Sequence, residues 1–234
     1  MNSNYYQFIK HNNDRAILNI FGDIVDDDYE SGISASRFAQ ELAELGEVET
    51  IDVFINSYGG SVSQGFTIYN LLREHNAKVT TYCTGFACSI ASIIFLAGDE
   101  RIMQDASLLM IHNPFCMTVG NASELRKQAD DLDKMAQVSV DIYCKATGLS
   151  EQVIKEMMDA ETWITSKEAY ELGFATSLKE EEEAETVVQS VKKSLMKRIT
   201  EPQVVEVVKE IEVIKEVEVK QVINNANKFL NIFK

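Results

Sequence analysis

KVTTYCTGFACSIASIIFL, residues 78–96, passes through three kinds of local structure in nineteen positions. Its first part, Lys78–Thr84, is rich in Val, Thr and Tyr and reads as a strand. Gly85 then breaks the pattern, and the small residues Ala87 and Cys88 permit close backbone approach. From near Ser89 an apolar run reaches Leu96 and reads as a helix. A strand delivered through a tight turn into an apolar helix is the unit from which parallel sheets are built, and the rest of the chain repeats it.

Upstream, Arg15–Asp23 alternates apolar residues and ends in a turn signal, so it reads as a strand. Ser34–Leu45 places Ala35, Phe38, Leu42 and Leu45 at helical spacing. Glu49–Asn56 is a strand closed by Ser57-Tyr58-Gly59-Gly60, and Ser63–Glu74 is a helix. Downstream, Arg101–Met103 and Ser107–His112 read as short strands. Ala122–Thr147 is polar with a sparse apolar stripe, as a long exposed helix requires. Ser150–Met158 and Ser166–Leu172 read as shorter helices, each starting on a serine suited to N-capping. The alternation predicts an α/β fold with a largely parallel sheet.

Composition narrows the function classes. The chain has 234 residues, 45% of them hydrophobic, enough to bury a sizeable core. A formal net charge of −15 repels phosphate backbones and argues against nucleic acid as a partner. MNSNYYQFIK at the start lacks an apolar run of signal-peptide length, and the longest apolar stretch, Ile90–Gly98, is about half of the ~20 residues a membrane span needs. A cytoplasmic protein with no membrane association is expected. Cys83, Cys88, Cys116 and Cys144 show no CxxC spacing and read as reduced, small hydrophobic residues. No His/Cys/Asp cluster has metal-ligand spacing, so neither a metal nor an organic cofactor is expected.

The character changes near Lys179, where Glu180–Glu183 opens a charge run of the kind that forms a solvated linker. Beyond Pro202 comes the repeated hexad VVKEIE-VIKEVE, residues 207–218. The expected organisation is a catalytic domain over residues 1–178, a charged linker over 179–202 and a Val/Glu/Lys-rich tail over 203–234. The tail reads as a self-associating strand or coiled segment.

Three segments could carry chemistry. A nucleophilic serine needs exposure at a tight strand-to-helix turn, a neighbouring imidazole and N–H donors for an oxyanion. Gly85–Ala91 supplies such a turn, and free N–H groups at the helix start near Ser89 would favour negative charge, although a serine there is more often just a cap. His112 follows four apolar residues and precedes Asn113-Pro114, whereas His11 and His75 sit in polar contexts. It is either a base or a satisfied histidine at the core's edge. Gly59-Gly60 forms a flexible turn whose N–H groups can point at an anion.

Taken together and in order, Asn56–Val62 (NSYGGSV), Gly85–Ala91 (GFACSIA) and Met110–Pro114 (MIHNP) resemble the signature segments INSPGG, GxAxSM and MIHxP of the Clp protease proteolytic-subunit family. The resemblance runs from about Arg15 to Leu178 and continues in Trp163–Ala169 (WITSKEA). Tyr58 stands where the family has proline and Ile90 where it has methionine. Both changes suit an oxyanion hole built from backbone N–H groups.

The resemblance implies a superhelix of β-β-α units of the crotonase-like type, with Ala122–Thr147 as a projecting handle helix. It implies Ser89 as nucleophile, His112 as general base, and the amides of Gly60 and Ile90 as the oxyanion hole. Aligned without gaps between Gly148 and Trp163, the family's aspartate falls on Glu161, with Asp159 as the alternative third member. Ser92, one helical turn beyond Ser89, matches no signature position, and its replacement by alanine is expected to be nearly silent. The implied reaction is peptide-bond hydrolysis inside a ring-shaped homo-oligomer, with a polypeptide substrate and an unfoldase ATPase or a capsid or scaffold protein as partner. The divergent signatures and the tail point toward a phage-type head-maturation protease. The rival expectations are an inactive structural paralogue and a crotonase-fold enzyme acting on an acyl-coenzyme A.

Overall fold

The computed structural model describes residues 6–10, 15–27 and 32–179. The expected linker and hexad tail therefore lie outside the described residues. In chain order the elements are β1 (Tyr6–Lys10), β2 (Arg15–Phe21), α1 (Ala35–Leu45), β3 (Thr50–Ser57), α2 (Val62–Glu74), β4 (Lys78–Cys88), α3 (Ile90–Phe95), β5 (Glu100–Met103), β6 (Leu108–Ile111), α4 (Ala122–Thr147), α5 (Glu151–Asp159), β7 (Thr162–Thr165), α6 (Ser166–Glu171) and β8 (Ser177–Leu178).

The sheet runs β1-β2-β3-β4-β5-β8, and all pairs from β2 onward are parallel, while β1 lies antiparallel on the edge. Parallel strands covered by helices bury both faces. In β3 the residues Ile51, Val53 and Ile55 are fully buried, and Asp52 on the opposite face is covered by its ion pair with Arg15. α1 buries Ala35, Phe38, Leu42 and Leu45, the stripe its spacing predicts. Every residue of α3 is buried, as befits a helix apolar on all sides. Each such buried Leu, Ile or Phe side chain contributes about 1.5–3 kcal/mol of transfer free energy.

β4 positions the site. It is longer than the periodicity predicts and serves two neighbours in succession: Thr80–Cys83 pairs with β5, and Phe86–Cys88 pairs with β6. The change of partner coincides with a shift in the β3–β4 register, Ile55 facing Cys83 and Ser57 facing Ala87. There the Asn56 side chain replaces a ladder bond, accepting from Phe86 N–H at 3.0 Å. Gly85 is required at this point, since a Cβ would lie 2.6 Å from Asn56 Oδ1. β4 thus carries the chain past the end of β5 and releases it at Ser89.

α4 is 26 residues long, or about 39 Å at 1.5 Å per residue. A capping box between Asn121 and Glu124 starts it, and Gly148 in the left-handed conformation ends it. Only Ser139, Val140 and Tyr143 are buried, so its first four turns stand clear of the described core. Two expectations are corrected. The cap of α6 is Thr165, in a box with Glu168, rather than Ser166. The strands β1, β7 and β8 are additional to those the sequence predicts; β7 pairs antiparallel with β6 and lengthens the branch of the sheet that starts at the end of β4.

Candidate active site

Ser89 follows β4 directly and adopts φ 53°, ψ −130°. For a residue with a side chain this backbone is strained and is held only by its surroundings. Here the Ser89 N–H donates to Met110 O at 2.8 Å, fixing the turn onto the end of β6. One residue beyond β6, His112 presents Nε2 at 2.7 Å from Ser89 Oγ, a distance suited to proton transfer. Phe115 meets the imidazole edge-on, with centroids 5.8 Å apart.

The glycine turn packs against the serine. A Cβ on Gly59 would lie 2.8 Å from both Cys88 O and Ser89 Cβ, and one on Gly60 would collide with Ile24 O. Both glycines have positive φ, 103° and 139°, values that other residues rarely adopt. The turn is clamped by Ile24 N–H to Gly59 O and by Ser61 N–H to Ile24 O, each 2.8 Å. Neither Gly60 N–H nor Ile90 N–H donates a backbone hydrogen bond among the described residues. Gly65 on α2 admits the Ile90 side chain where a Cβ would stand.

These groups line one cleft of about 1050 Å3 that also takes in Asp159 and Glu161. Asp159 Oδ1 accepts from Asn113 Nδ2 at 2.7 Å, and among the described residues no hydrogen bond joins His112 to either carboxylate. Glu161 has φ 48°, and it and Ser89 are the only non-glycine residues with positive φ among those described. A left-handed Glu costs roughly 1–2 kcal/mol. Two strained residues thus border the same cleft. Asp23 and Asp26 add further carboxylates, and no Lys or Arg lines it. Beside the serine, burial pushes the Cys88 thiol up to about 11 and the Cys83 thiol up to about 12, so neither is a nucleophile near neutral pH.

The structure therefore gathers Ser89, His112, Gly60, Asp159 and Glu161 around one cleft, and Ile90 N lies beside it, 3.3 Å from where a Cβ on Gly59 would stand. Sequence reasoning missed Asn113, although it stands next to His112, and the pairing of Ser92 Oγ with Tyr143 Oη at 2.7 Å. Ser92 is buried, and its Oγ engages Ser89 O and Tyr143 Oη rather than the imidazole. Among the described residues no helix is long and apolar enough to cross a membrane, and no group of three His, Cys, Asp or Glu side chains could hold a metal ion.

Residues 4–182 match the sequence profile described as Clp protease. The chain is 36% identical over 155 residues to the ATP-dependent Clp protease proteolytic subunit 1 of Protochlamydia amoebophila, covering 64% of this chain and 74% of that protein. It is 37% identical over 137 residues to the protein of the same name from Chlamydia abortus, covering 57% and 70% of the two chains. With the ATP-dependent Clp protease proteolytic subunit of Deinococcus radiodurans it shares 34% identity over 127 residues, or 53% of this chain and 62% of the relative.

Proposed function

Since the chain belongs to the Clp protease family of serine peptidases, we propose that it is an endopeptidase working through an acyl-enzyme on Ser89. The observation that carries the reading is the 2.7 Å contact between His112 Nε2 and Ser89 Oγ at a serine held in a strained turn. His112 Nε2 takes the hydroxyl proton as Oγ attacks the scissile carbonyl carbon. The carbonyl oxygen becomes an oxyanion, received by the N–H groups of Gly60 and Ile90, which have no backbone partner among the described residues. His112 then protonates the leaving amine, and water, deprotonated by the same imidazole, releases the acyl group. Glu161 is the carboxylate assigned to orient the imidazole through Nδ1 and stabilise its protonated form, with Asp159 as the alternative, a contact that has to form in the working enzyme because neither is hydrogen-bonded to His112 among the described residues. The strain at Glu161 supports this order of preference, because strained residues cluster at functional sites.

The names of the relatives place their activity in an ATP-dependent protease. By extension, this chain acts as the proteolytic subunit of a ring-shaped homo-oligomer that receives unfolded polypeptide from an ATPase partner. Its expected domain runs to residue 178, with the linker and tail beyond serving assembly or targeting rather than catalysis. Trimming of a capsid or scaffold protein is the narrower form of the same reading, and the curated relatives support only the general form.

The test is a fluorophosphonate probe followed by peptide mass spectrometry. The expected adduct is on Ser89, and Ser89→Ala should lose both adduct and peptide hydrolysis, by several orders of magnitude, while keeping its circular dichroism spectrum. An inactive paralogue or an acyl-coenzyme A enzyme would take up no probe at Ser89, and that result would end the peptidase reading.

A further inference from the structure

Ser92 lies one turn after Ser89 on α3 and is 1% exposed, and Tyr143 reaches it from the last turns of α4 and is 2% exposed. Ser92 Oγ is 2.6 Å from Ser89 O and 2.7 Å from Tyr143 Oη. The direction of each bond follows from chemistry. A carbonyl oxygen only accepts, so the single Ser92 hydroxyl proton goes to Ser89 O. Tyr143 must then donate its own proton to Ser92 Oγ. Burial raises the pKa of the Tyr143 phenol, so that proton stays in place.

Ser92 N–H also donates to Ser89 O, at 3.0 Å, so this one carbonyl accepts twice from Ser92. The Ser89–Ile90 peptide is planar and trans, with its N–H on the side opposite its C=O. Holding the oxygen toward Ser92 therefore turns Ile90 N–H away from it, and that N–H has no backbone acceptor among the described residues. A serine hydroxyl bonded to a carbonyl one turn back is ordinary helix chemistry. A buried tyrosine from an element 51 positions further along, saturating that hydroxyl, is an added constraint.

We propose that Tyr143 and Ser92 are positioning residues of the oxyanion hole, locking the Ser89–Ile90 peptide so that Ile90 N–H stays aimed into the cleft. They also make that aim depend on how α4 is seated. The proposal rests on the reading of Ser89 as nucleophile. It reverses the expectation that Ser92→Ala is nearly silent.

The experiment compares the full chain with Ser92→Ala, Ser92→Thr, Tyr143→Phe and the Ser92→Ala/Tyr143→Phe double variant. Hydrolysis of a fluorogenic peptide is normalised to the Ser89 content titrated by fluorophosphonate. Deleting an oxyanion donor lowers kcat by about 10²–10³. Here the donor is misaimed rather than removed, so Ser92→Ala is expected to lose about tenfold in kcat with KM within about twofold. A peptide aldehyde, which forms a tetrahedral adduct on the serine, should lose affinity in step with kcat. Ser92→Thr, which keeps a hydroxyl, should recover most of the loss. Tyr143→Phe should lose a few-fold, and the double variant should be no worse than Ser92→Ala alone, because both act through one peptide. A purely structural role would lower the melting temperature and the titrated fraction but leave kcat per titrated serine unchanged, and that result overturns the proposal, as do additive losses. Should Ser92→Ala fold poorly, Tyr143→Phe carries the same test. Should the unaltered chain take up no probe, the peptidase reading fails separately. A crystal structure of Ser92→Ala then decides the positioning claim: a rotated Ser89–Ile90 peptide supports it and an unmoved one refutes it.

Discussion

Gly65→Ala sets two effects of known size against each other. Gly65 is buried in the first half of α2, and alanine there gains up to about 1 kcal/mol of helix propensity. Its Cβ, however, would fall on Ile90 Cγ1, with Ile90 Cδ1 at 3.1 Å and Ile90 Cβ at 3.2 Å. The collision is at the root of a β-branched side chain, so rotation about χ1 only exchanges one branch for the other. The Ile90 backbone must shift. Overpacking of this kind costs about 1–3 kcal/mol. Subtracting the helix gain leaves between nothing and about 2 kcal/mol of net destabilisation. At about 2–4 °C per kcal/mol for a domain of this size, Tm should fall by up to roughly 8 °C. Activity should fall further than stability, because Ile90 N–H is the proposed oxyanion donor; a loss of at least tenfold in kcat is expected, with the loss of about 10²–10³ seen for deletion of such a donor as its ceiling. Thermal unfolding by circular dichroism and kcat per fluorophosphonate-titrated serine measure the two effects. Adding Ile90→Ala removes the collision and should restore part of both. A Gly65→Ala protein with raised Tm and unchanged kcat would refute the packing argument and, with it, the coupling of α2 to the oxyanion hole.

Three further outcomes are expected. Glu161→Gln should lower kcat far more than Asp159→Asn; equal small losses by peptide hydrolysis would indicate a Ser–His dyad without a third carboxylate. Alkylation by iodoacetamide near neutral pH should modify the exposed Cys116 and spare Cys88, whose buried thiol ionises only near 11, so that labelling of Cys88 should rise with pH; rapid labelling of Cys88 at neutral pH would contradict its burial behind the nucleophile. Because four carboxylates and no Lys or Arg line the cleft, peptides with lysine flanking the scissile bond should show lower KM than glutamate-flanked ones, and the difference should shrink with added salt; equal KM at low salt would show the field to be ineffective.

What could be read in the linear chain follows from the range over which each feature is determined. The α1 stripe, the long α4 and the turn after Lys78–Thr84 depend on residues within a few positions of one another, and composition at those positions is sufficient. Local pattern left Ser89 open as a cap and His112 as a histidine at the core's edge; the ordered signature segments, by their resemblance to the Clp protease proteolytic-subunit family, singled out the pair across 23 positions. β7 and β8, with four and two residues, are too short for any periodicity, and they exist only because β6 and β5 offer open edges. The length of β4 was hidden for a related reason: Gly85 reads as a stop, yet its function is to make room for Asn56, a residue 29 positions earlier. Glu161 was reachable only by alignment, since nothing in DAETW marks a left-handed residue. Tyr143 and Ser92 lie at the far end of this scale. Each alone looks like an unremarkable member of a helix, an aromatic core residue and a small polar one. Their meaning arises when packing of α4 against α3 buries two hydroxyls together, and burial obliges them to bond to something. The acceptor within reach of Ser92 is the carbonyl of the proposed nucleophile, so the requirement to satisfy a buried polar pair becomes a constraint on catalytic geometry.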